Sequence, residues 1–205
     1  SSPDINSTGK ANGVYVVTAA GELVNYTTVD NTAIGVALIT ANQRILIEKM
    51  GEANSDIIKA AYDADGATNT DYKYFYWGDN IDVTGISNLG NKEQFKSDFN
   101  GKDNTAAIIA TPDSDSSNKY ANMGTYCKLF NEMNGGYTDW YIPAAGQLYE
   151  IYTNVTDINT ALINIGGTAL TADFYWSSSE GMYSFGANTG GAVSLENGAL
   201  SNYGR

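Results

Sequence analysis

Over the first fifty residues, apolar and polar positions alternate in short runs. Val14-Tyr15-Val16-Val17-Thr18 and Leu23-Val24-Asn25-Tyr26-Thr27 flank a turn at Ala19–Glu22 and predict a β-hairpin. Ala33–Ile39 and Arg44–Ile47, separated by Thr40–Gln43, predict a second hairpin. The first run of this pair is almost fully apolar, which places it centrally in its sheet. Beyond residue 50 the pattern loosens. Asn54–Tyr62 reads as a short helix, Asp63–Asp71 as a polar loop and Glu93–Phe99 as a helical turn. Thr105–Ala110, a compact apolar run, reads as a buried strand. Helical spacing returns in Tyr120–Met133 through Ala121, Gly124, Cys127, Phe130 and Met133, and Gly135-Gly136 stops it. A second helix is expected just after Pro143, with Leu148, Ile151 and Tyr152 inward, since proline is tolerated in a first turn. A third, capped by Thr156 or Asp157, carries Ile158, Ala161, Leu162 and Ile165 and ends at Gly166-Gly167. Tyr175-Trp176 opens a last region of short strands and Gly/Asn turns.

These elements describe one α+β domain over residues 1–205. Its parts are a hairpin region 13–50, an insertion 51–105, a helical core 117–167 and a loop-rich display region 175–205. A chain of 205 residues with 42% hydrophobic and 17% charged residues can bury a core of that size.

Charge and composition narrow the chemistry. The net charge is −12 and no basic cluster is visible, which disfavours nucleic acid and anionic membrane surfaces as partners. Histidine is absent, which excludes Ser–His and Cys–His catalysis and His-ligated zinc. Cys127 is the only cysteine, so no intrachain disulfide forms; its apolar helical setting reads as buried filler. No run of about 18 apolar residues offers a membrane span. The low charge density fits a secreted or surface protein, with any signal or lipoprotein anchor removed.

Trp140-Tyr141-Ile142-Pro143-Ala144-Ala145-Gly146-Gln147-Leu148, then Ile158-Asn159-Thr160-Ala161-Leu162 and Gly166-Gly167-Thr168, then Tyr175-Trp176-Ser177-Ser178-Ser179-Glu180 form an ordered series. The series resembles bacterial C-type-lectin-like domains of the fibrobacter-major-paralogous type, common in surface proteins of gut Bacteroidetes. The likeness is strongest over residues 135–180, with further familiar stretches at Asn100-Gly101-Lys102, Asn104-Thr105, Ile108-Ile109-Ala110 and Ala33–Leu38. It implies a C-type-lectin-like fold, with two or three helices on small antiparallel sheets and long loops. Members of that type usually continue past the position of Arg205 with a terminal strand that pairs with the N-terminal strands; the sequence departs from that pattern, through either a trimmed ending or a different terminal pairing. Variable proteins of diversity-generating retroelements share the pattern, and their variable segment follows the Tyr-Trp-Ser-Ser element. By position that segment is Gly181–Tyr203 here.

The expected binding residues are therefore Tyr183, Ser184, Phe185, Asn188, Asn197, Ser201, Asn202 and Tyr203. Tyrosine supplies rigid contact area, while Ser, Asn and Gly supply adaptable hydrogen bonds. The expected partner is an extracellular protein or glycan, met on a cell surface or a phage particle, without cofactor or metal and without catalysis. Trp140, Pro143, Leu148 and Trp176 are assigned to the core rather than to a ligand pocket. Ser177-Ser178-Ser179 lack a base and a G-x-S-x-G turn, so their hydroxyls read as turn and capping groups, with Glu180 accepting backbone bonds.

In Tyr72–Trp77, alternation sends Phe75 and Trp77 inward and leaves the tyrosines at the edge; the alternative is a platform for a sugar ring. The Asp63–Asp71 loop departs from EF-hand spacing: counting from Asp63, position 5 is Ala67 and glycine falls at position 4. Asp113 and Asp115 read as a solvated turn. Two further classes stay open: a module of a surface fibre or pilus, and a glycan-active enzyme using carboxylates such as Glu150, Asp157 or Glu180.

Overall fold

The computed structural model of the chain describes residues 9–50, 55–78, 82–111, 119–181 and 189–204, with Tyr203 and Gly204 described by backbone alone. The N-terminal alternation folds as expected. β1 (Gly13–Val17) and β2 (Leu23–Asn25) form one hairpin, and β3 (Gly35–Ile39) and β4 (Arg44–Glu48) form the next. All pairings are antiparallel in the order β2-β1-β3-β4, with Val16 opposite both Val24 and Val36. The apolar β3 is buried at every residue. One face of this sheet contributes Val14, Val16, Val36 and Leu38 to the main core, and the other gathers Val17, Leu23, Ala37 and Ile39 into a smaller cluster.

Next come α1 (Ser55–Ala64), β5 (Phe75–Tyr76), β6 (Asn88–Leu89), α2 (Lys92–Lys96) and α3 (Gly101–Ala110). The strand expected at Thr105–Ala110 is the second half of α3. The face that α3 buries is Gly101, Asn104, Thr105 and Ile108. That is helical spacing, but three of the four residues are polar or lack a side chain, so hydrophobicity does not reveal it. Then follow β7 (Ala121–Asn122), α4 (Met123–Met133), α5 (Ala145–Thr153) and α6 (Val155–Asn164). Gly135 and Gly166, both at positive φ, sit just past the ends of α4 and α6. α6 begins before the expected Thr156 or Asp157 cap. Asn154 holds the N-cap position, and its side chain donates back to the Glu150 carbonyl at 2.9 Å.

The chain closes with β8 (Phe174–Gly181), β9 (Thr189–Ser194) and β10 (Leu200–Gly204). The second sheet has the order β10-β9-β8-β6, antiparallel except where β6 runs alongside β8. β5 and β7 make a short parallel pair. The class is α+β. Six helices lie among the described residues where the resemblance implied two or three; α1 and α2 fall at the short helix and helical turn read at Asn54–Tyr62 and Glu93–Phe99, and α3 is the one read as a strand.

α5 and α6 lie between the two sheets. α6 packs on β1 and β3 and α5 on β8 and β9, and Leu148, Ile151, Ile158, Leu162 and Ile165 share one core with Val16, Val36, Leu38, Val193, Leu195 and Leu200. A separate cluster of Ile58, Ala61, Tyr62 and Ala121 joins α1 to α4.

Candidate functional site

The serine strand sits at the centre of the buried polar structure. Ser177, Ser178, Ser179 and Glu180 are all inaccessible to solvent. The Ser177 hydroxyl donates to the Gly191 carbonyl at 2.8 Å, which fastens β8 to β9. Ser178 N–H donates to the Pro143 carbonyl at 2.8 Å. The Ser179 hydroxyl donates to Asp98 Oδ2 at 2.7 Å and accepts the Ala145 N–H at 2.8 Å. Asp98 also accepts from Asn100 N–H and Asn104 Nδ2, and its carbonyl takes the Gly146 N–H at 2.9 Å. The first N–H groups of α5 are therefore met from across the fold, although Ala144 at its N-cap has no side-chain acceptor to offer. Gln147 Oε1 completes the start of the helix by accepting Ala144 N–H at 2.9 Å. Both Glu180 oxygens accept the Val83 N–H. These groups act as fasteners, in keeping with the structural roles expected of them.

Two indole N–H bonds run in opposite directions between β8 and the aromatic run. Trp77 Nε1 donates to the Ser177 carbonyl at 2.7 Å, and Trp176 Nε1 donates to the Phe75 carbonyl at 2.8 Å. Trp77 is wholly buried and lies where a Cβ on Gly190 would have to be; Phe95 likewise fills the space over Gly181 and Gly191. Close approach of large rings to a bare backbone explains the glycines of β8 and β9.

The four residues expected in the core divide. Leu148 is buried. Trp176 is half-buried and packs against the cluster of Trp77, Val83, Ile86, Ile108 and Met123, whereas Trp140 and Pro143 are half-buried and belong to no core cluster among the described residues, which corrects the expectation for those two. They hold the rim of the core through specific contacts. Trp140 exchanges two hydrogen bonds with the Asn131 side chain and meets the Phe130 ring edge-on at 6.0 Å. Within the 72–77 run the buried aromatic is Trp77, as alternation implied, with Phe75 half-buried.

Of the eight expected binding residues, Tyr183, Ser184, Phe185 and Asn188 lie outside the described residues. Asn197 is exposed in the turn after β9, and Ser201 is half-exposed on β10. Tyr203 pairs with Gly190 through the backbone. Asn202 corrects the expectation: it is only 7% exposed and donates to Thr189 Oγ1 at 3.1 Å. On β10, alternation turns it inward between Ser201 and Tyr203.

The acidic loop has local partners. Asp63 pairs with Lys59 at 2.7 Å, and Asn69 Oδ1 accepts the Asp71 N–H. Asp65 accepts from Asn122 N–H and the Thr125 hydroxyl, so it caps the start of α4 from a distance. Asp113 and Asp115 lie outside the described residues. Cys127 is buried against the Trp140 carbonyl, and burial lifts its thiol to about 11. Burial also raises the Tyr141 phenol, against the opposing effect of its bond with Gln147.

One open groove was not anticipated from sequence. It has a volume of about 530 Å³ and runs between α5, α2 and the β3–β4 turn. Its parts come from residues distant in sequence, so no single motif marks it. Among the described residues no helix is long and apolar enough to cross a membrane. Comparison with family models, curated proteins and solved structures returns no match.

Proposed function

We propose that the chain is a non-catalytic, extracellular recognition module of C-type-lectin-like architecture that binds a protein or glycan through residues 181–203. One observation carries this reading. The polar side chains that could pass for chemistry, Ser177, Ser179 and Glu180, are buried and bonded inside the fold, and β9 beside them is buried along its whole length. Binding chemistry is left to the residues after Gly181, to the exposed turn at Glu196 and Asn197, and to the half-exposed Ser201 of β10. Their Tyr, Ser and Asn content suits adaptable contact, and the net charge of −12 argues against a nucleic-acid partner. Diversification of this segment by a retroelement is part of the proposal. A reverse transcriptase gene beside a near-copy of the coding segment would support that part, and a neighbourhood without either would remove it.

The test is a glycan and extracellular-protein array probed with the labelled chain and with its Tyr183→Ala, Phe185→Ala, Tyr203→Ala triple variant. Specific signals that the triple variant loses, with its melting temperature unchanged, are the expected result. Signals that survive the three substitutions would assign binding elsewhere.

A further inference from the structure

None of the residues lining the groove between α5, α2 and the β3–β4 turn belongs to the serine strand or to residues 181–203. We infer that the groove is a second binding site, for a small neutral saccharide.

Its anionic wall is Glu150, held in place by uncharged donors. Oε1 accepts from the Thr40 hydroxyl and Gln43 Nε2, each at 2.8 Å, and Oε2 accepts from Asn42 Nδ2 at 3.1 Å. A carboxylate offers about four acceptor positions, so one remains on Oε2. Lys96 also lines the groove; its Nζ stands 4.7 Å from the centre of the Tyr149 ring and 3.9 Å from Glu93 Oε1. Half-buried Phe99 and the part of the half-buried Tyr149 ring that Lys96 does not cover supply aromatic surface, and the exposed Asn42 and Ser97 complete the lining.

The groove therefore offers an ammonium donor, a fixed carboxylate acceptor, amide and hydroxyl groups, and aromatic faces within one space. Sugar hydroxyls both donate and accept, and the C–H face of a pyranose packs on aromatic rings, so a neutral saccharide meets every group. An anionic ligand would face Glu150 and the −12 field of the whole chain. A cationic ligand would meet Lys96 beside a Glu150 carboxylate already occupied by three uncharged donors. The volume lies within the range of small-ligand clefts, about 300–1,000 Å³.

The experiment is an amide-resolved NMR titration of the intact chain. The probes are the methyl glycosides of glucose, galactose, mannose and N-acetylglucosamine, with a sulfated galactoside and tetramethylammonium as charged comparators. At least one neutral glycoside is expected to give saturable shifts at the amides of Asn42, Ser97 and Tyr149, and the charged comparators none. Asn42→Ala should weaken that binding about tenfold, the loss of one hydrogen-bonding group in a site. Tyr149→Leu should do the same. Because Asn42 lies on an exposed turn, its variant keeps the test valid if the Tyr149 variant is unstable. The triple variant at Tyr183, Phe185 and Tyr203 should leave the shifts unchanged, which separates this site from the first. The inference is overturned if no neutral glycoside moves these amides, if a charged comparator binds there instead, or if Asn42→Ala binds as tightly as the parent.

Discussion

Gly190 and Trp77 show how single positions set the geometry of the second sheet. The indole occupies the space in front of Gly190, and its N–H reaches the carbonyl of Ser177 on the neighbouring strand. A methyl group at Gly190 would drive the ring out or bend β9. Gly190→Ala should therefore lower the unfolding free energy by about 1–3 kcal/mol, seen as a lower urea midpoint at unchanged slope. An unchanged midpoint would mean that the ring moves aside freely. Cys127 provides a pH-dependent test of burial. Its thiol is raised from an ordinary value of 9.0 to about 11, so the unfolded chain loses this proton at lower pH than the folded one. The stabilisation is complete below pH 9 and is lost as pH rises towards 11. Burial raises Tyr62 and Tyr141 as well, which extends the loss to higher pH. Stability should fall above pH 9, and Cys127→Ala should flatten the first part of the fall. Equal slopes in the variant and the parent would contradict the assignment.

At the level of elements, the start of α5 shows why a helix with alanine at its N-cap is stable here. Its acceptors arrive from β8 and from the segment after α2, through Ser179 Oγ and the Asp98 carbonyl. Ser179→Ala would remove that acceptor and one donor to the Asp98 carboxylate together. The expected loss is about 1–3 kcal/mol by chemical denaturation, with early amide exchange in the first turn of α5. A loss confined to β8 would refute the link. The same elements show what could be read from the chain. β1 to β4 were legible because alternation and turn residues agree, and α4, α5 and α6 because glycines and a proline bound apolar stripes. α3 was not, because its buried face is Gly101, Asn104, Thr105 and Ile108, so the visible apolar run at its C-terminal end imitates a strand. β6 and β7 are two residues each and exist only through their partners, so no local pattern announces them. The serine strand was legible as structural, but its partner Asp98 was not, being about eighty residues away in sequence and marked by nothing around it.

Over the whole molecule, the two sheets and α5 and α6 form a frame whose buried Ser177, Ser179, Asp98 and Glu180 side chains are held by hydrogen bonds, while the buried Ser178 hydroxyl makes none among the described residues. The insertion is latched to that frame by the indoles of Trp77 and Trp176. Under the proposed function, two kinds of residue that look alike in sequence have different roles: buried Ser177, Ser179, Glu180 and Trp77 hold the frame, and Tyr183, Phe185 and Tyr203 are proposed to meet a partner. The most direct measurement is paired: binding isotherms on an immobilised array hit, together with melting curves, for the parent, the Tyr183/Phe185/Tyr203 alanine variant and Ser179→Ala. The account predicts that the triple variant melts with the parent and loses binding at least about tenfold. It also predicts that Ser179→Ala melts lower and, while folded, binds with parental affinity. A triple variant that binds normally, or a folded Ser179→Ala chain that does not bind, would contradict this division of roles.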